Sequence, residues 1–110
     1  MGNIYTEEIK GGYKMKSITN EDLHFTSEEI SKYIDSKPIQ NKNKVLRYLK
    51  SVKSFVYGAF LLKDCITGEV YNSCCAIYEK DGWRWSDATI YYFEHYNIPL
   101  KDEFLEIFKD

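Results

Sequence analysis

The segment Asp81–Phe108, DGWRWSDATIYYFEHYNIPLKDEFLEIF, restricts the fold more than any other part of the chain. It opens on Asp-Gly, a pair that tolerates the positive φ angles of a tight hairpin turn. Trp83-Arg84-Trp85 follows; on a strand this puts both indoles on one face and the guanidinium on the other. Ser86 or Asp87 can then cap a helix running to about Tyr96 or Asn97, which Asn97-Ile98-Pro99 terminates. Ile90 and Phe93, with Tyr96 or Asn97, mark the inner side of that helix. Asp102 opens a last short helix carrying Phe104, Leu105 and Phe108. The tryptophan face of the strand must meet these helices, so Trp83 and Trp85 are expected as core anchors.

Upstream, Thr26-Ser27-Glu28-Glu29 is a capping-box start, with Phe25 and Ile30 at the positions of a hydrophobic staple. The helix is expected to reach about Ser36, with Ile30, Tyr33 and Ile34 inward, because Pro38 disfavours its continuation. A second helix is expected over about 41–52, where Val45, Leu46, Leu49 and Val52 repeat at helical spacing. Phe55–Leu62 is apolar on both faces, as a central strand would be. Gly68 supplies a turn, Val70–Glu79 reads as a second strand, and Lys80-Asp81-Gly82 turns into the third. The expected class is α+β: two N-terminal helices, a three-stranded antiparallel meander and two C-terminal helices packed on the sheet.

The 110 residues fit a single globular domain, 1–110, with 44% apolar content and a net charge of −2. Residues 1–14 could form a poorly ordered leader before a second start at Met15. The longest uncharged apolar run, Phe55–Leu62, falls far short of the roughly 20 residues a membrane helix needs. No basic segment followed by an apolar stretch opens the chain, so the expected location is cytoplasmic, with no membrane partner. Met1-Gly2-Asn3-Ile4-Tyr5-Thr6 fits the myristoylation pattern, but the pattern is short, and the Lys-, Ile-, Asn- and Tyr-rich composition favours a bacterial source that lacks the modification. The three cysteines, Cys65, Cys74 and Cys75, are an odd number with no C-x-x-C pair. They read as small buried apolar residues.

Little in the sequence points to catalysis. His24 and His95 lie far apart, and neither belongs to a metal-ligand array, so no metal and no cofactor are expected. No G-x-G-x-x-G or G-x-x-x-x-G-K-[ST] occurs, and no small-molecule substrate is implied. Asp64, Asp81 and Asp87 could converge at the sheet ends as paired carboxylates, but turn and capping roles account for all three. The expected answer is not an enzyme.

Charge is distributed unevenly. Residues 1–55 carry ten bases against seven acids, and residues 56–110 carry five against ten. No acid occurs between Asp35 and Asp64, so the helix over 41–53 is basic and could touch phosphates non-specifically. A small nucleic-acid-associated or regulatory protein is therefore the alternative reading. The overall acidity and the missing nucleic-acid motif weigh against it. Aromatics make up 16% of the chain, and Tyr outnumbers Phe ten to six. Tyrosines favour rims and interfaces, and an acidic surround steers basic partners.

Lys63-Asp64, Thr67-Gly68-Glu69, Asp81-Gly82-Trp83-Arg84-Trp85-Ser86-Asp87, Tyr91-Tyr92, Tyr96, Leu100 and Phe104 together resemble the tails of small bacterial immunity proteins. Those proteins belong to polymorphic and contact-dependent growth-inhibition toxin systems. The resemblance covers about the last half of the chain. It implies an immunity protein that binds the C-terminal domain of a cognate toxin, often a nuclease, and neutralises it by stoichiometric inhibition. The partner-binding residues it implies are Asp81, Arg84, Asp87, Tyr91, Glu94 and His95.

Overall fold

The hairpin at Asp81-Gly82 organises the molecule. In the computed structural model, which describes residues 15–20, 22–59 and 61–109, Asp81 and Gly82 both take positive φ, 55° and 85°. This is the backbone of the twist-matched two-residue hairpin turn. In chain order the elements are β1 (Lys16–Ser17), α1 (Ser27–Ser31), α2 (Lys42–Lys50), β2 (Ser54–Gly58), β3 (Leu62–Lys63), β4 (Val70–Asn72), β5 (Cys75–Lys80), β6 (Trp83–Ser86), α3 (Asp87–Tyr96) and α4 (Asp102–Leu105), with a 3-10 turn at Glu106–Phe108. The expected leader and the myristoylation pattern lie outside the described residues.

The class is α+β, but the strands depart from the expected three-stranded meander. One sheet has four strands in the order β1-β6-β5-β2, and a separate two-stranded ribbon pairs β3 with β4. β5 and β6 pair antiparallel, with Glu79 opposite Arg84 and Tyr78 opposite Trp85. β1 adds a parallel edge, Lys16 opposite Trp83. Two residues carry no pattern of their own, so nothing local announces this strand. The apolar run expected as one central strand splits: β2 forms the other edge of the large sheet, and Leu62 and Lys63 belong to the ribbon. Val70–Glu79 likewise splits at Ser73-Cys74 into β4 and β5.

Side-chain alternation in β6 decides where the core lies. Trp83 and Trp85 are buried, 8% and 3% exposed, while Arg84 faces solvent. Phe104 meets Trp83 edge-on at 5.4 Å between ring centroids, and Phe108 meets Phe104 at 5.3 Å. Tyr48 of α2 lies 5.8 Å from Trp85 and 5.2 Å from Phe108. These offset and edge-on contacts are the arrangements that aromatic quadrupoles favour. Val45 and Leu49 of α2 are fully buried in the same cluster, with Leu46 and Val52 at its margin, as the helical spacing predicts.

Both N-terminal helices are shorter than expected. Thr26 Oγ1 accepts from the Glu29 amide at 3.1 Å, so the cap forms, but α1 ends at Ser31 and residues 32–35 continue as turns. Ile30 is buried, whereas Ile34 is 49% exposed and does not belong to the inner stripe. Phe25 stacks on Tyr92 at 5.0 Å. The three cysteines are free and only half-buried, rather than core residues.

Candidate binding surface

α3 starts where the sequence says it should. Ser86 Oγ accepts from the Thr89 amide at 3.3 Å, and Thr89 Oγ1 accepts from the Ser86 amide, closing a capping box. The helix ends at Asn97, whose φ of 57° makes a left-handed cap. Thr89, Ile90, Tyr92 and Phe93 turn inward. Asp87, Tyr91, Glu94 and His95 follow one another along the other side at helical spacing.

These four residues differ in what they leave free. Asp87 is a joint rather than a free acid. Its carboxylate accepts from the Ala76 amide at 2.9 Å, the Tyr78 hydroxyl at 2.5 Å and Asn72 Nδ2 at 3.3 Å, tying the β4–β5 link to the start of α3. Tyr91 is half-buried; its ring stacks on Tyr71 at 3.7 Å and 10° and contacts His95 at 4.4 Å. Glu94 Oε2 accepts from Lys50 at 3.0 Å across to α2. His95 is exposed.

Asp81 and Arg84 lie elsewhere. Asp81 is at the hairpin tip, where it accepts from the Tyr48 hydroxyl at 2.8 Å. Burial, and then this hydrogen bond, push the Tyr48 phenol well above its ordinary value. Arg84 stands on the solvent face of the sheet and donates through Nε, at 2.7 Å, and Nη2 to Glu79 Oε2 of the neighbouring strand. β6, four residues long and so about 13 Å, separates the hairpin tip from Asp87. The six residues thus form two groups, a hairpin pair and an α3 stripe, and not one patch. Asp64, Asp81 and Asp87 likewise occupy three separate hydrogen-bond systems.

The most concentrated polar cluster centres on Asp64, which is 2% exposed. Oδ1 accepts from the amides of Ile66 (2.7 Å) and Thr67 (3.0 Å). This is the Asx turn that the loop to Gly68 requires, and Gly68 has φ 81°. Oδ2 accepts from the hydroxyls of Tyr91 and Tyr96, each at 2.6 Å. Burial alone would raise the carboxyl pKa; the four hydrogen bonds outweigh it and hold the group down at about 2. Burial and then the bond to Asp64 push Tyr91 up to about 12, and Tyr96 also rises for the same reasons. Both phenols therefore stay protonated through neutrality and donate to the carboxylate. Tyr92 completes the clamp: its hydroxyl donates to the Lys63 carbonyl at 3.1 Å and accepts from the Cys65 amide at 3.0 Å. The cluster holds the β3–β4 ribbon against α3. The sequence offers a turn Asp and a Tyr pair, but nothing in it couples them.

The basic helix is largely engaged in the fold. Lys42 Nζ donates to the Glu94 carbonyl and to Asn97 Oδ1, both at 2.7 Å, placing a cation on the carbonyl end of α3. Lys44 donates to the Phe108 carbonyl and Lys50 to Glu94. An open groove of about 640 Å³ runs past the start of α2, with Lys42, Lys44, Arg47 and Glu94 along it. Among the described residues, no three His, Cys, Asp or Glu side chains gather at metal-binding distance, and no helix is long and apolar enough to cross a membrane. No family model, no curated protein and no solved structure matches this chain.

Proposed function

We propose that this chain is an immunity protein: a non-catalytic, cytoplasmic inhibitor that binds the C-terminal domain of a bacterial toxin stoichiometrically. The observation that carries the reading is how the ionisable groups are spent. Asp64, which is buried, and Asp87, which is half-buried, are saturated by internal donors. Tyr91 and Tyr96 are protonated donors to one of them. None of these is poised as a nucleophile or base. What remains outward is charge and ring edge on a fixed backbone: Arg84, Asp81, Glu94 and His95, with Asp102, Glu103 and Glu106 of the last helical turns exposed. Such a surface suits protein recognition, in which pre-ordered aromatic and charged groups cost little entropy on binding. The engagement of Lys42, Lys44 and Lys50 in internal contacts favours this reading over nucleic-acid binding through α2.

The partner most compatible with the excess of acids over bases in the C-terminal half is a cationic toxin domain, such as a nuclease with a basic cleft. The test is a titration of purified toxin domain, encoded beside this gene, with the full chain. The expected result is complete inhibition at a 1:1 ratio, together with a calorimetric binding signal. Absence of both binding and inhibition across the toxin domains of that locus refutes the reading.

A further inference from the structure

His95, exposed in the last turn of α3, is the outer member of a stack of three rings. Tyr71 of β4 lies flat on Tyr91 at 3.7 Å and 10°, covering one face of it. His95 contacts Tyr91 at 4.4 Å and 37°, so the imidazole lies against what Tyr71 leaves of that ring. Negative charge gathers around the stack. Asp64 accepts from the Tyr91 hydroxyl at 2.6 Å, and a phenol that donates to a carboxylate is polarised toward its ring. The charges of Asp64 and Asp87 act on Tyr71, and those of Asp64 and Glu69 act on Tyr91. Glu69 is exposed. His95 also stands at the carbonyl end of α3, where the helix dipole favours cations.

Elsewhere in the fold, ring faces are met by the chain's own lysines. Lys16 lies over Trp83 at 5.7 Å, Lys42 over Phe93 at 5.9 Å and Lys80 over Tyr48 at 5.6 Å, the geometry of cation–π attraction. Lys42 and Lys50, which reach α3 from α2, are bound to the carbonyl and the carboxylate of Glu94. Among the described residues, neither the His95 imidazole nor the Glu69 carboxylate has a hydrogen-bond or ion-pair partner. We propose that the Tyr71–Tyr91–His95 stack receives an arginine side chain of the toxin domain, its guanidinium lying on the imidazole of His95 with the Glu69 carboxylate as counter-ion. A neutral imidazole offers a nitrogen lone pair to the guanidinium N–H groups as well as a ring face. Arginine fits better than lysine because its planar group stacks on a ring and is less strongly hydrated. The rings are ordered before the partner arrives, so little entropy is lost on binding. The site rests on the immunity reading for its partner, and adds to it the group recognised and the roles of Tyr71 and Glu69.

Argininamide is titrated into the full chain, with lysinamide at the same concentration and ionic strength as the control, and the ring signals of His95 and Tyr91 are followed by NMR. Argininamide is expected to shift them about threefold more per unit concentration than lysinamide. His95→Ala, read on Tyr91, and Glu69→Gln are each expected to reduce the argininamide response about threefold, while His95→Phe, which keeps a ring, retains it. Both positions are exposed, and amide spectra show that each variant is folded. Equal responses to the two probes overturn the proposal, since charge alone then accounts for them. So does an argininamide response that His95→Ala and Glu69→Gln leave unchanged, or the absence of any response at the two rings. No toxin is present, so the two readings fail separately. A toxin domain inhibited 1:1 by a chain whose rings ignore argininamide refutes this site alone. An argininamide response without binding to any toxin domain of the locus refutes the immunity reading and leaves the guanidinium site standing.

Discussion

Asp64 offers the sharpest test of how the ribbon is held. Lowering a carboxyl from 3.8 to about 2 corresponds to about 2 kcal/mol of folding free energy once the group is ionised in both states. Because the folded value lies below the unfolded one, this contribution is fully present above about pH 4 and is lost as pH falls toward and through 2. Asp64→Asn keeps the shape but turns one acceptor into a donor. It then faces either the Ile66 and Thr67 amides or the two phenols with N–H groups. The expected cost at neutral pH is about 2–4 kcal/mol, the range for a lost charge-assisted bond plus an unpaired buried donor. Urea unfolding of both proteins from pH 7 to pH 2 is the assay. The other carboxylates titrate alike in both proteins, so the stability gap isolates this site. It should narrow by about 2 kcal/mol between pH 5 and pH 2. A gap that stays constant over that range refutes the reasoning, as does a variant within about 0.5 kcal/mol of wild type at pH 7.

Three further outcomes follow from particular geometry. Gly68→Ala meets no atom within 4 Å but must hold φ 81°, so it should cost about 1 kcal/mol through backbone strain alone, seen as a lower thermal midpoint. Ser86→Ala removes the acceptor for the Thr89 amide at the start of α3 and should cost about 1 kcal/mol in denaturant unfolding. Arg84→Ala takes away an exposed cation paired only across the sheet surface. It should change stability by less than about 0.5 kcal/mol, while weakening toxin-domain affinity about tenfold in calorimetry if the hairpin face is part of the interface. Unchanged affinity there would move recognition to the α3 stripe.

The elements legible in the sequence are those with local causes. Asp81-Gly82 specifies its turn because both positions need positive φ. Trp83-Arg84-Trp85 specifies its inner and outer faces because a strand alternates. Ser86 and Thr26 specify helix starts because their side chains satisfy amides three residues on. The spacing of Val45 and Leu49 likewise identifies the buried face of α2. The tail of α1 departs from its pattern: Ile34 fits the helical period, yet the chain turns after Ser31 and leaves it exposed.

The candidate site is legible only in part. Arg84, Glu94 and His95 do reach the surface, but Asp87 and Tyr91 fit the same helical stripe while their polar atoms are bound inside the fold. Only tertiary structure decides the pairings between distant segments. Lys16-Ser17 becomes a strand because β6 offers a free parallel edge 67 residues away, not because two residues prefer extension. The apolar run at 55–62 ends as a sheet edge and a ribbon because partner choice depends on closing long loops, which no local pattern encodes. Asp64, readable as a turn residue, becomes a buried anion because the fold brings Tyr91 and Tyr96 to its second oxygen. Sequence alone determined the turns, caps and face patterns, whose causes lie within a few residues. Tertiary structure decided strand order, the place of β2 at the end of the sheet and the Asp64 clamp, since each depends on groups that only the folded chain brings together.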